Sequence, residues 1–188
     1  PRRGETFVTR KITRAASLIA AGLQKILTLG NLNSKRDWGF APEYCEGMIK
    51  IINHSTAEDF VFATGETHTV REFVLHAFNH IGIELDWIGE EENEKGIVRS
   101  INFDAGKSLI DFESKKSDLR FDFTTSLKKG DVVVAVNPSY YRPTEVDLLI
   151  GDPTKAEKIL GWKAKTKFSD LVKIMVQSDL EKVLRRGF

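Results

Sequence analysis

Cysteine is almost missing from this chain. With Cys45 as its single cysteine, an internal disulfide is excluded and a reducing compartment fits. No apolar run reaches the length that spans a bilayer and no signal-peptide pattern is present, so the expected location is cytoplasmic, with no membrane partner. Charge of one sign is lacking too: Lys+Arg 28 against Asp+Glu 27 leaves a net +1. No global attraction to nucleic acid follows, and none is expected as a partner. No G-x-G-x-x-G loop follows a strand, no Ser-His-Asp signature or cysteine-rich zinc motif occurs, and no Tyr is followed four residues later by Lys. An obvious cofactor cradle and a proton-transfer pair are therefore absent. His76 and His80 stand one helical turn apart, but no third ligand accompanies them, so no metal is expected. Pro1 is not a natural start, and the chain reads as a piece of something longer.

What is present is ordinary globular material. The chain has 188 residues, 41% hydrophobic and 29% charged, enough for one domain with a real core. Periodicity predicts a mixed α/β fold without an internal repeat. Val8, Ile12, Ala15, Ala16, Ile19, Ala20 and Leu23 recur at helical spacing, predicting a helix from near Thr6 to Lys25. Basic residues dominate 2–36, with Glu5 the single acid. This is either a solvated face or an anion site at the helix N-terminus, where free N–H groups favour negative charge. Ile26–Leu29 reads as a short buried strand. Asp37 either fixes Arg36 or pairs with Lys35, and Trp38 either joins the core or stacks on a planar group.

Pro42 opens a helix over 43–53 with Tyr44, Cys45, Met48, Ile49 and Ile52 as its apolar face, Cys45 being a packed thiol. Asp59–Thr64 reads as a strand. Thr69 and Glu72 form a capping box for a helix that runs to Ile81 and stops at Gly82. Leu85–Ile88 is a short strand. Segments 97–103 and 107–112 flank Asp104-Ala105-Gly106, which reads as a hairpin turn, and 119–123 alternates apolar with polar. Val132–Val136 is a strong strand, and a last helix covers 169–184.

The stretch from Tyr140 to Trp162 carries the most local order. A strand-like run, 146–150, ends at Gly151. Asp152 reads as a helix N-cap with Pro153 at the first helical position, and Gly161 closes the helix. Upstream, Pro143 stiffens the turn between Arg142 and Glu145. An Arg held at a strand edge suits phosphate, because its fork of donors matches two oxygens at once.

Four blocks in order resemble the GDP-mannose 4,6-dehydratase family of extended short-chain dehydrogenase/reductases. They are 4–14 (Gly4 to Arg14), Gly30-Asn31-Leu32 with 35–39, Ala63 to His68 with 70–73, and 141–146 through 151–156 with Leu160-Gly161-Trp162. Similarity is thinnest over about 90–131. The resemblance implies an α/β fold: the C-terminal, substrate-binding part of such an enzyme, with the last helix and strand of an NAD(P)-binding Rossmann domain. On that reading 1–188 is a nucleotide-sugar-binding domain, 40–66 packs with an absent Rossmann half, and 96–136 is a β-rich insertion. The family takes a hydride from C4 of GDP-mannose onto NADP, eliminates water across C5 and C6, and returns the hydride to C6, yielding GDP-4-keto-6-deoxymannose. The family's catalytic residues and glycine-rich loop have no counterpart here, so the piece alone is expected to be silent. The resemblance makes Val8 and Lys11 nucleotide-sugar contacts, Arg36 and Arg142 the diphosphate arginines, Glu145 a ribose contact and Arg3 a cofactor contact. It also implies a homodimer or homotetramer at full length. Alternatives are another nucleotide-sugar epimerase or dehydratase of the superfamily, and a nucleic-acid-binding module using the basic first helix.

Overall fold

The computed structural model describes residues 1–111, 118–123, 126–140 and 150–187. Its elements run α1 (Val8–Ala20), β1 (Leu27–Leu29), β2 (Lys35–Arg36), α2 (Ala41–Ile52), β3 (His68–Thr69), α3 (Val70–Ile81), β4 (Ile83–Ile88), β5 (Lys95–Ile101), α4 (Asp104–Leu109), β6 (Val132–Val136), α5 (Thr154–Leu160) and α6 (Phe168–Arg186). The mixed α/β class expected from periodicity is the class found.

Helix α3 shows why the local rules worked. The Glu72 backbone N–H donates to the Thr69 hydroxyl at 3.0 Å, and the Thr69 N–H donates to the Glu72 carboxylate at 2.6 Å, closing the capping box. Gly82, at φ 92°, ends the helix in the left-handed conformation, and a Cβ there would collide with the Asn102 carbonyl. Phe73, Val74, Ala77, Phe78 and Ile81 are all buried.

The main sheet has the order β1-β6-β5-β4. β1 pairs with β6 in parallel, Leu27 opposite Val134 and Leu29 opposite Val136. The β6–β5 and β5–β4 pairs are antiparallel. Helices α1, α3 and α6 pack on one another, and their apolar stripes meet Leu27, Leu85, Val98 and Val134 of the sheet in one core. A ribbon of β2 with β3 lies apart from it, Arg36 opposite His68. Trp38 belongs to the core edge: its ring lies 5.2 Å from Phe73 and 5.9 Å from Phe168.

A smaller cluster sits around Trp162, whose indole is 4.5 Å from the Phe62 ring and 5.4 Å from Tyr44. Its indole N–H donates to the Glu43 carbonyl at 2.7 Å. The Glu43 carboxylate accepts the Thr166 hydroxyl and N–H at 2.6 and 3.0 Å. Burial, then the carboxylates of Asp37 and Glu43, push the Tyr44 phenol up to about 12.

Several local expectations are corrected. Asp104–Leu109 is helical, not a hairpin turn. Asn102 Oδ1 accepts the Asp104 N–H at 3.0 Å, and the turn carries buried Ile110 onto Leu180 and Leu184. The second hairpin strand therefore does not form; 107–109 are helical, and 112 lies outside the described residues. Asp59–Thr64 joins no ladder; Phe60 and Phe62 are used for packing beside Trp162 instead. Residues 119–123 are likewise not a strand, although the Phe121 N–H donates to the Leu184 carbonyl at 2.9 Å. Helix α1 stops at Ala20, leaving Leu23 exposed. Cys45 is exposed rather than packed, with Met48, Ile49 and Ile52 of the same helix. Helix α5 starts one residue late, with Pro153 at the N-cap. Asp152 nonetheless accepts the Thr154 hydroxyl at 2.5 Å and the Thr154 N–H at 2.9 Å, and these bonds, the hydroxyl's first, hold its carboxyl below the usual range. The strand expected at 146–150 falls outside the described residues but for Ile150, which is in no strand.

One buried carboxylate fastens α1 to α6. Asp179, 1% exposed, accepts the Thr13 hydroxyl at 2.7 Å and Arg10 Nε at 3.2 Å. Replacing Asp179 with Ala leaves the buried Thr13 hydroxyl without its acceptor and the part-buried Arg10 with Glu5 as its remaining carboxylate, and is expected to cost about 2 kcal/mol in urea unfolding, with Asp179→Asn costing less. The capping box sets a pH signature. Burial alone would raise the Glu72 carboxyl, but the two Thr69 bonds and nearby His68 and His76 outweigh it and hold it below the ordinary value. A depressed folded pKa stabilises fully above the unfolded value of about 4.3 and is lost as pH falls through the folded one. The stability difference between wild type and Glu72→Gln should thus be present at pH 5–6 and shrink below about pH 4.

Candidate anion-binding site

Two basic residues meet at the start of α1. The helix begins at Val8 with Phe7 at its N-cap, no side-chain cap and no acid in its first turn. Its first backbone N–H groups are thus left uncapped by side chains, beside a hollow of about 560 Å³. Val8 and Lys11 of α1, Gly30 after β1, Ser34, Arg36 of β2 and Tyr140 all face it. Its described lining holds two cations and no carboxylate. The Lys11 ammonium lies over the Tyr140 ring, 3.9 Å from the centroid. Arg36 is presented by the β2–β3 ribbon and donates to the Lys35 carbonyl at 2.7 Å. The Ser34 hydroxyl is buried and has no hydrogen-bond partner among the described residues.

Asp37 neither fixes Arg36 nor pairs with Lys35. Its carboxylate accepts the Thr64 hydroxyl at 2.7 Å and the N–H groups of Thr64 and Gly65 at 3.0 Å. It therefore pins the 64–65 turn beside the residue that carries the guanidinium. Arg3 lies elsewhere, on a larger hollow of about 1020 Å³ shared with Arg2, Phe7, Val8, Trp38 and Met175. Its guanidinium covers the Phe7 ring at 3.7 Å, and its carbonyl accepts from Arg10 at 2.9 Å. Val8 borders both hollows. So Val8, Lys11 and Arg36 line one hollow, Arg3 lines the other, and Arg142 and Glu145 lie outside the described residues.

His76 and His80 sit with ring centroids 6.3 Å apart. Burial lowers the His80 pKa despite a bond to the Ser169 carbonyl at 3.3 Å. Among the described residues, no three His, Cys, Asp or Glu side chains gather as a metal cluster, and no helix is long and apolar enough to cross a membrane.

A family model described as GDP-mannose 4,6 dehydratase matches residues 1–175. The chain belongs to the GDP-mannose 4,6-dehydratase family. Its curated relatives include GDP-mannose 4,6 dehydratases of Dictyostelium discoideum, 48% identical over 181 residues, and of Homo sapiens, 43% identical over 181 residues. Each alignment takes in 96% of this chain but only 43% and 41% of the relative, so the chain spans less than half the length of the dehydratases it matches. Among solved structures, the RMD of Pseudomonas aeruginosa, complexed with NADPH, aligns with a TM-score of 0.62 over 97% of this chain and 46% of its own at 14% identity. The UDP-glucose 4-epimerase of Bifidobacterium longum, in complex with NAD+ and UDP, aligns at 0.55 over 97% and 42% with 17% identity. At such identities the likeness is one of fold alone.

Sequence reasoning missed Tyr140 and Ser34. Tyr140 stands directly before the Tyr-Arg-Pro block, and only the pairing of β1 with β6 brings it to Lys11. The Asp37 anchor makes a prediction: Asp37→Ala leaves the three donors of the 64–65 turn without their acceptor and should cost about 2 kcal/mol in denaturant unfolding. Asp37→Asn keeps one acceptor oxygen and should lose less.

Proposed function

We propose that this chain supplies the GDP-sugar site of an NADP-dependent GDP-mannose 4,6-dehydratase, as the C-terminal part of a longer polypeptide. The observation that carries this is the meeting of Lys11 and Arg36 on one hollow at the uncapped start of α1, in a chain of this family. A diphosphate is doubly charged, and an Arg fork beside an ammonium neutralises and orients such a group. The hollow's size suits a small-molecule ligand. By the family resemblance, Arg142 supplies a second fork, Glu145 takes the ribose hydroxyls, and Val8 lines the nucleotide.

The whole enzyme would convert GDP-mannose to GDP-4-keto-6-deoxymannose, and its catalytic residues would come from outside this chain. The larger hollow fits a dinucleotide in kind: the guanidinium groups of Arg2 and Arg3 suit phosphate, and Trp38 and Met175 offer apolar wall. Arg3 would touch NADP, whose chemistry is hydride transfer, while the N-terminal half would hold most of it. Segment 40–66 then has a clear task. The exposed Met48, Ile49 and Ile52 form an apolar face that packs against the Rossmann half. We place the enzyme in the cytoplasm, as a homodimer or homotetramer at full length.

Calorimetric titration tests the site. GDP-mannose should bind this chain, and UDP-glucose should compete poorly. Arg36→Ala should weaken binding at least tenfold, since a charge-assisted bond contributes about 1.5–3 kcal/mol. Unchanged affinity in both Arg36→Ala and Lys11→Ala refutes the assignment. With NADP added, no turnover is expected; measurable turnover would refute the division of labour.

A further inference from the structure

We infer, resting on the reading of the smaller hollow as a GDP-sugar site, that Tyr140 is a positioning residue for Lys11. Its ring holds the ammonium inside the hollow with its positive charge undiminished. Lys11 Nζ stands 3.9 Å from the ring centroid, well inside cation–π range. A lysine stem is flexible, so an ammonium without a partner would sample many positions. A carboxylate would hold it too, but would cancel its charge and repel an incoming phosphate. A ring face attracts a cation through its quadrupole and carries no net charge. The adjacent Arg10 is the contrast: it is paired with Asp179 and Glu5, whereas Lys11 makes no ion pair among the described residues.

The ring's place is set by backbone. The Asn137 N–H donates to the Leu29 carbonyl at 2.8 Å, and the Tyr140 N–H donates to the Asn137 carbonyl at 3.0 Å. The Asn137 side chain accepts the Ser139 N–H at 2.9 Å, tightening the turn. Gly30 then lets the two strand ends close up: a Cβ there would stand 2.5 Å from the Tyr140 carbonyl oxygen. Tyr140 is 51% exposed, a wall of the hollow and not a member of the core.

The test is a titration of GDP-mannose into wild type, Tyr140→Phe, Tyr140→Leu, Lys11→Met and the double variant Lys11→Met/Tyr140→Leu. Phe keeps the ring face and should bind within about twofold of wild type, while Leu should lose roughly three- to tenfold. In the Lys11→Met background the Leu change should add nothing. Equal losses in Phe and Leu would assign the effect to the hydroxyl and overturn the inference. So would a Leu loss that persists with Met at position 11. A ligand-free readout keeps the two readings apart. The ring-current shift of the Lys11 ε-protons should be present in wild type and Tyr140→Phe and lost in Tyr140→Leu; its persistence in Leu also overturns the inference. If wild type ignores GDP-mannose but binds pyrophosphate with the same ranking of variants, the GDP-sugar reading fails and the Tyr140 role stands. If it binds neither, both fail.

Discussion

The parallel pairing of Leu27–Leu29 with Val134–Val136 is the constraint on which the site depends. Parallel neighbours need a long crossover. Here α3, β4, β5 and α4 all lie between the two strands in the chain. Both strands therefore end together, and the residues after their ends come to one place: Gly30 and Ser34 beyond β1, Ser139 and Tyr140 beyond β6. Helix α1 meets them there because its buried face is committed to α3 and α6. The hollow is the space left where a helix start and two strand ends meet.

Arg10 and Lys11 show how one turn of helix divides two cations between tasks. Neighbouring residues point about 100° apart around a helix. Arg10 faces α6, where buried Asp179 takes its Nε at 3.2 Å, and it reaches back to the Arg3 carbonyl at 2.9 Å. Its charge is used up in joining the N-terminal segment to the last helix. Lys11 faces the other way, onto an aromatic ring. A buried pair is costly to break and weak evidence of net stability; its value here is to fix how α1 lies against α6, and hence where Lys11 emerges.

The chain spans less than half the length of its dehydratase relatives. Helix α2 has a good apolar stripe, yet Met48 is 57% and Ile52 81% exposed. One edge of that stripe, Tyr44, packs on Trp162, and Glu43 beside it is bonded to Trp162 and Thr166. The helix is thus held along one edge of its apolar stripe and open along the other.

Local chemistry alone settled much of this molecule. Thr69, Glu72 and Gly82 delimit α3 through bonds spanning three residues and a left-handed stop, so those residues were readable without a fold. The apolar spacing of α1 and α6 and the Val132–Val136 run were legible for the same reason. Spacing could not decide Asp104–Leu109, because a turn signal and a helix start share Asp and Gly, and the need to seat Ile110 against α6 decided between them. Nor could it decide Asp59–Thr64, where strand-like alternation met no ladder and its aromatics went to Trp162. The Asp37 partners, the exposure of Cys45 and the meeting of Lys11, Arg36 and Tyr140 belong to tertiary structure. Each depends on segments far apart in the chain, and no short-range rule specifies which distant strand a strand will choose.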